Sequence, residues 1–278
     1  MNGTLTPRRP AHDVSGWVAQ WRQAEIPVLR ETAEQIEEYR LREDEVDAHL
    51  LAPMVGADPL MCLKLLAHVS SHRSSRRITD TETATAALVM MGIGPFFRSF
   101  GPQTTVQDKL ADHPRALDGL MRLLERSQRA ARFALGFAVH RMDLDAEVIH
   151  EAALLHDFAE MLLWCHAPDL AIYIEQRQQA DATLRSAAVQ RQVLGVELVD
   201  VQQSLMHDWR LPELLVRISD DHHDTAPQVR NVLLAIRLAR HTKDGWDNAA
   251  IPDDVRDIAK LLNLKPEPTL KLLRDLDS

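Results

Sequence analysis

Apolar residues recur at every third or fourth position through almost the whole chain, and no stretch of strand length alternates apolar with polar residues. That pattern constrains the chain to helices joined by short turns. The residue types agree: Leu, Ala, Arg, Glu and Gln fill long stretches and aromatics are only 5%, a usage that favours straight-chain helix formers over strand formers. With 278 residues the chain is long enough to bury a large core, as one domain or as two packed lobes. An all-α fold is the expectation.

The turn signals divide the chain further. Trp17 to Glu25 reads as a short first helix. Pro27 suits the first turn of a second helix running to about Arg42, with Leu29, Thr32, Ala33, Ile36 and Tyr39 as its buried stripe. A third helix is expected from Glu45 to Val55, ended by Gly56. Asp58-Pro59 then opens a fourth with an acidic cap and a proline at its first position, burying Met61, Leu65, Leu66 and Val69. Thr79 or Asp80 is expected to cap the next helix, which stops at the Gly-Ile-Gly-Pro turn of residues 92–95. The polar stretch Gly101 to Pro114 marks the best junction between two lobes. A long helix from Ala116 to His140 follows, with Leu120, Leu123, Leu124, Ala131, Leu135 and Ala138 facing the core. Asp145 caps the helix after it. Further helices are expected at about Pro168–Gln179, Ala182–Leu194, Glu197–Trp209, Pro212–Asp221 and Gln228–Thr242, with two more around Pro266.

Charge and composition exclude several functions. A formal charge of −9 argues against a general nucleic-acid binder, which needs a basic face. Cys62 and Cys165 have no Cys-x-x-Cys spacing, so they read as two buried thiols. The longest apolar run, Ala86 to Phe97, is broken by Gly92, Gly94 and Pro95 and falls short of the roughly 18 residues a membrane span needs. The polar N-terminus is no secretory signal, which leaves the cytoplasm as the expected compartment.

Two clusters carry candidate chemistry. His156 and Asp157 end an apolar helical stretch, and both are metal-ligand types. Neighbours on one helix point about 100° apart, so further ligands would have to come from other helices. Such a doublet is more often a capping or hydrogen-bonding pair. Asp220-Asp221-His222-His223-Asp224 is the second cluster, read either as metal ligands or as a polar helix end. The basic run His72 to Arg77 offers Arg73, Arg76 and Arg77 as anion contacts, although a solvated turn is the commoner origin of such a run. There is no Gly-x-Ser-x-Gly, no phosphate-binding Gly-x-x-x-x-Gly-Lys and no His-Glu-x-x-His.

In order and separation, several pieces resemble the HDOD family, bacterial signalling domains related to the HD and HD-GYP phosphohydrolases. They are Ile26-Pro27-Val28-Leu29, Ala57-Asp58-Pro59-Leu60, Ile78-Thr79 through Met91-Gly92, Leu154-Leu155-His156-Asp157, Trp209-Arg210-Leu211-Pro212 and His222-His223. The resemblance covers about residues 25 to 240 and implies an all-helical bilobal bundle. On it, residues 1–16 are an N-terminal tail and 17–245 the domain, with lobes of about 17–110 and 111–245; 246–278 are a helical extension. It also implies that His156, Asp157, His222 and His223 are vestiges of a metal site. Arg126, Leu198 and Ile236 stand where HD enzymes place other ligands, and Ala159-Glu160 where Gly-Lys often follows.

None of Arg126, Leu198 and Ile236 ligates a divalent ion, so no metal and no cofactor are expected. Arg126 is expected instead to form a charge-assisted pair with Asp157. The leading reading is a non-catalytic regulator or scaffold that binds other signalling proteins, with a homo-oligomer left open. Two alternatives remain: a metal-dependent phosphohydrolase with an incomplete site, acting on a nucleotide or cyclic dinucleotide, and a nucleotide sensor using Arg73, Arg76 and Arg77.

Overall fold

The computed structural model describes residues 12–72, 82–181, 183–221 and 225–277. Several of its helices begin where the sequence supplies a side-chain acceptor for the first unpaired amides. Asp13 accepts from Gly16 N at 2.7 Å to open α1 (Val14–Trp21). The segment after it is extended, contrary to the expectation that Pro27 starts a helix. Val28 donates to Thr104 O at 3.0 Å and accepts from Val106 N at 2.9 Å, an isolated parallel bridge to Thr105, so α2 (Arg30–Arg40) begins three residues later. The chain then makes a 3-10 turn at Glu43–Glu45, where a helix start was expected. α3 (Ala48–Ala57) starts instead at Asp47, whose carboxylate accepts from Leu50 N, and it continues through Gly56.

Asp58 does as the sequence suggests, and more. It is fully buried, with Oδ1 accepting from Leu60 N and Met61 N at 2.9 and 3.2 Å to cap α4 (Pro59–Ser71). Its Oδ2 accepts from Leu29 N at 2.8 Å, which ties the start of α2 to the start of α4. All four expected core residues of α4 are buried. Thr83, not Thr79 or Asp80, caps α5 (Ala84–Met91); residues 79 and 80 lie outside the described residues. α5 ends at Gly92, whose φ of +80° costs a glycine nothing, and α6 (Ile93–Ser99) follows. The junction Gly101 to Pro114 is better anchored than its polarity suggested. It holds the short α7 (Val106–Lys109), and Val106 and Leu110 are buried.

α8 (Pro114–Arg141) spans 28 residues. It buries Leu120, Leu123, Leu124, Ala131 and Ala138 as expected, but Leu135 is exposed because the core-facing positions on that turn are Phe133, Ala134 and Phe137. Around it lie α9 (Ala146–Leu155), α10 (Phe158–His166), α11 (Pro168–Ala180), α12 (Ser186–Leu194), α13 (Leu198–Asp208), α14 (Glu213–Ile218) and α15 (Pro227–His241). The expected start of α12 at Ala182 lies outside the described residues, and the helix opens at Ser186.

The bundle is bilobal. α2 to α6 pack chiefly on one another, α8 to α15 form the second lobe, and α4 joins the two by packing on α8, α9 and α10. One continuous apolar core runs through both. α1 packs on α13 of the second lobe, with Trp17 Nε1 donating to Leu194 O at 3.2 Å and Trp209 Nε1 donating to Arg22 O at 3.0 Å. Beyond residue 245, α16 (Ile251–Leu262) and α17 (Pro266–Leu276) fold back onto α15 and α8. Arg237 of α15 pairs with Asp254 and Asp257, His241 lies 2.6 Å from the buried Asp254, and Arg129 of α8 clasps Asp277.

Two glycines of α8 are packed differently. A Cβ on Gly119 would meet the buried Trp164 ring at 2.5 Å, while one on Gly136 would meet the methyls of Leu276 at 2.4 Å. An indole ring in a filled core cannot swing aside as a leucine near a helix end can. Gly119→Ala is therefore expected to lower stability by about 1–2 kcal/mol despite its gain in helix propensity, and Gly136→Ala by less. Urea denaturation of the two variants measures the difference.

Candidate functional site

His156 and Asp157 stand at a break between helices. α9 ends at Leu155, Asp157 has φ −106° and ψ 25°, and α10 starts at Phe158, so the two side chains do not lie on one continuous helix. The break leaves backbone groups without helical partners, and the buried side chain of Gln202 on α13 supplies two of them. Its Nε2 donates to His156 O at 2.6 Å, and its Oε1 accepts from Ala159 N at 3.2 Å. Gln202 gave no signal in the sequence. Asp145 is the residue before α9 but makes no side-chain cap.

Asp157 is the centre of the cluster. Its Oδ1 lies 2.9 Å from His156 Nδ1 and its Oδ2 accepts from Arg126 Nη2 at 3.1 Å, so the expected pair between Arg126 and Asp157 is present. A second guanidinium, that of Arg240 on α15, donates from Nη2 to both oxygens at 3.3 Å. His156 Nε2 is 3.0 Å from Asp221 Oδ1, and Arg126 also lies 3.8 Å from Glu160. Leu198 and Ile236 are both buried. Asp221 of the acidic-histidine cluster thus reaches the site; His222, His223 and Asp224 lie outside the described residues, as do Arg73, Arg76 and Arg77. Among the described residues, no group of three or more His, Cys, Asp and Glu side chains could hold a metal ion.

The electrostatics follow from this packing. Burial alone would lower the His156 imidazole, but its hydrogen bonds to Asp157 and Asp221 and their two charges outweigh that and raise it to about 9. Burial would raise Asp157; the charge of Arg240, the bond from His156 and the charge of Arg126 overcome it and hold the carboxyl well below the usual range. Glu160 goes the other way, raised by burial against the pull of Arg126, with Asp157 adding repulsion. An imidazole carrying both protons has no lone pair for a metal. With His156 in that form and two guanidinium groups on Asp157, the donor set of the described residues does not fit a divalent cation.

The same arrangement fixes a pH dependence. The folded His156 binds its proton more tightly than the ordinary value of 6.5, so its contribution is complete below about 6.5 and is lost as pH rises through about 9. Glu151, raised to about 8 chiefly by burial, adds loss in the same direction from lower pH. Stability measured by denaturant titration should therefore fall from pH 6.5 to 9, and His156→Gln should flatten the alkaline part of that fall.

The fold is shared with solved structures. The MmoQ response regulator from Methylococcus capsulatus superposes with a TM-score of 0.68 at 17% identity, covering 90% of this chain and 98% of that one. A virulence factor from Campylobacter jejuni gives 0.63 at 15% identity, covering 95% and 98%. At such identities the likeness is one of fold. No curated protein matches the sequence. The family model of the HDOD domain matches residues 26–225, a span that holds Asp58, Arg126, His156, Asp157 and Asp221. The chain belongs to the HDOD family.

Proposed function

We propose that this protein is a non-catalytic signal-transduction regulator or scaffold, in which arginines have taken over the electrostatic role of a metal. One observation carries the reading: Asp157 is held by Arg126 at 3.1 Å and by Arg240 at 3.3 Å, while both ring nitrogens of His156 are engaged by carboxylates. A phosphohydrolase of this ancestry needs a metal to lower the pKa of water and to offset phosphoryl charge. Here the same position carries cations fixed to the protein, which stabilise four elements against one another and leave, among the described residues, no ligand set for a metal-bound water.

Partner contacts supply the function in this reading. Val139, Met142 and Leu144 stand exposed at the end of α8 and the turn after it, apolar side chains of the kind that protein contacts cover. The likeness to a response regulator, a protein of signalling, supports the setting. No described helix is long and apolar enough to cross a membrane.

Elemental analysis of the purified chain, beside hydrolysis of bis(p-nitrophenyl) phosphate with and without added manganese, tests this directly. Metal well below one equivalent and turnover unaffected by His156→Ala are expected. One equivalent of metal lost together with turnover in that variant would sink the proposal. Asp157→Ala is expected to cost about 3–5 kcal/mol in urea denaturation, since it strands two guanidinium groups and an imidazolium beside one another. Affinity capture from the native cell, read by mass spectrometry, should return the same signalling proteins with wild type and with His156→Gln.

A further inference from the structure

A cleft of about 910 Å³ opens beside the Asp157 cluster, between α8, α10, α11, α12 and the end of α15. Its volume lies in the range of small-molecule sites. Along α8, the lining runs from Gly119 and Leu123 to Arg129 and Arg132, a distance of about 20 Å at helical rise. The two ends differ in character. Near Leu123 the wall is apolar, built from Leu163, Trp164, Ala171 and Ile174; Trp164 comes close because Gly119 has no side chain. Towards the other end stand Arg126, Arg129, Arg132, Arg240 and Lys243.

Much of this charge is already answered within the protein, so the balance decides what the cleft can bind. Six cationic side chains line it, against the four carboxylates of Glu125, Glu160, Glu175 and Asp244 in the lining and Asp157 and Asp277 just behind it, so what the cleft offers a ligand is donors left unused and not a surplus of charge. Arg122 pairs with Glu175, Arg129 with Asp277 and Lys243 with Asp244. Arg132 is exposed and makes no hydrogen bond or ion pair with a described residue. Arg240 reaches Asp157 through Nη2 alone, and its Nε and Nη1 donate to no described residue. Arg126 Nε has no acceptor among the described residues, but it is buried out of reach of a ligand in the cleft, so it adds nothing to the binding. The basic end therefore holds spare donors on separate elements, α8 and α15. Donors carried on different elements of one cleft can approach a tetrahedral phosphoryl group from several sides, which a planar carboxylate does not need.

We propose that this cleft binds a small organic phosphate of nucleoside monophosphate size, the phosphoryl group between Arg132, Arg240 and Lys243 and the apolar body against Leu163 and Ile174. The binding stands independently of whether the Asp157 cluster is catalytically inert. It gives the regulator a chemical input on the side of the Asp157 cluster, with Arg240 shared between the two.

Isothermal titration of the full chain with adenosine monophosphate, adenosine and inorganic phosphate tests the assignment. Saturable binding of the monophosphate is expected, tighter than that of either part and weakened by added salt. Arg132→Gln and Lys243→Gln, both at exposed side chains, should each weaken it about fivefold to tenfold while leaving the melting temperature in place. Absence of saturable binding up to roughly 5 mM would overturn the proposal. So would binding that survives both changes but disappears when Arg73, Arg76 and Arg77 are replaced by Gln, which would move the site elsewhere. Inorganic phosphate binding as tightly as the monophosphate would remove the role given to the apolar wall. Hydrolysis of the monophosphate during titration would contradict the inert reading of the cluster and leave the location of the cleft standing.

Discussion

The structure depends on the burial of α8. One face of this 28-residue helix presents Leu120, Leu123, Leu124, Phe133, Ala134 and Phe137 to the core, and helices from both lobes and from the C-terminal extension pack on it. A helix so extensively covered fixes the position of everything it carries. Arg126 and Arg129 ride on it less than one turn apart, one aimed at Asp157 and the other at Asp277, so the same rod sets both the cluster and the docking of α17. The apolar burial supplies the driving force, and the arginines set where neighbouring elements stop against it.

Much of this was legible in the sequence, for reasons that can be named. Asp58-Pro59 announces a helix start because both residues act locally: the carboxylate meets amides two and three residues on, and the proline gives up an N–H that has no partner there. The pairing of Arg126 with Asp157 was legible through the family resemblance, which aligned an arginine with a lost ligand. Arg240 is not among the residues that the sequence singles out, although a signal exists. The resemblance puts Ile236 at a ligand position, and a residue four further on projects from the same face of a helix. Gln202 had no signal of its own, since a glutamine that repairs a helix break looks like any other polar residue until the break is known.

The misses share a cause. Pro27 fits a helix start by local rules, but a backbone bridge to Thr105, far away in sequence, holds Val28 extended. Leu135 is apolar at helical spacing yet faces outward, because the core face of α8 is set by the neighbours that cover it. Propensity is a weak prior wherever tertiary contacts decide.

The paired tryptophan contacts between α1 and the second lobe impose an order on folding during synthesis. The acceptor of Trp17 on Leu194 emerges from the ribosome 177 residues after it, and Arg22 waits still longer for the indole of Trp209. Through that interval α1 is an amphipathic segment without a home, carrying two large indoles. It is satisfied long after it is made, so this stretch of translation is when the chain is most exposed to misassembly and has most use for a chaperone.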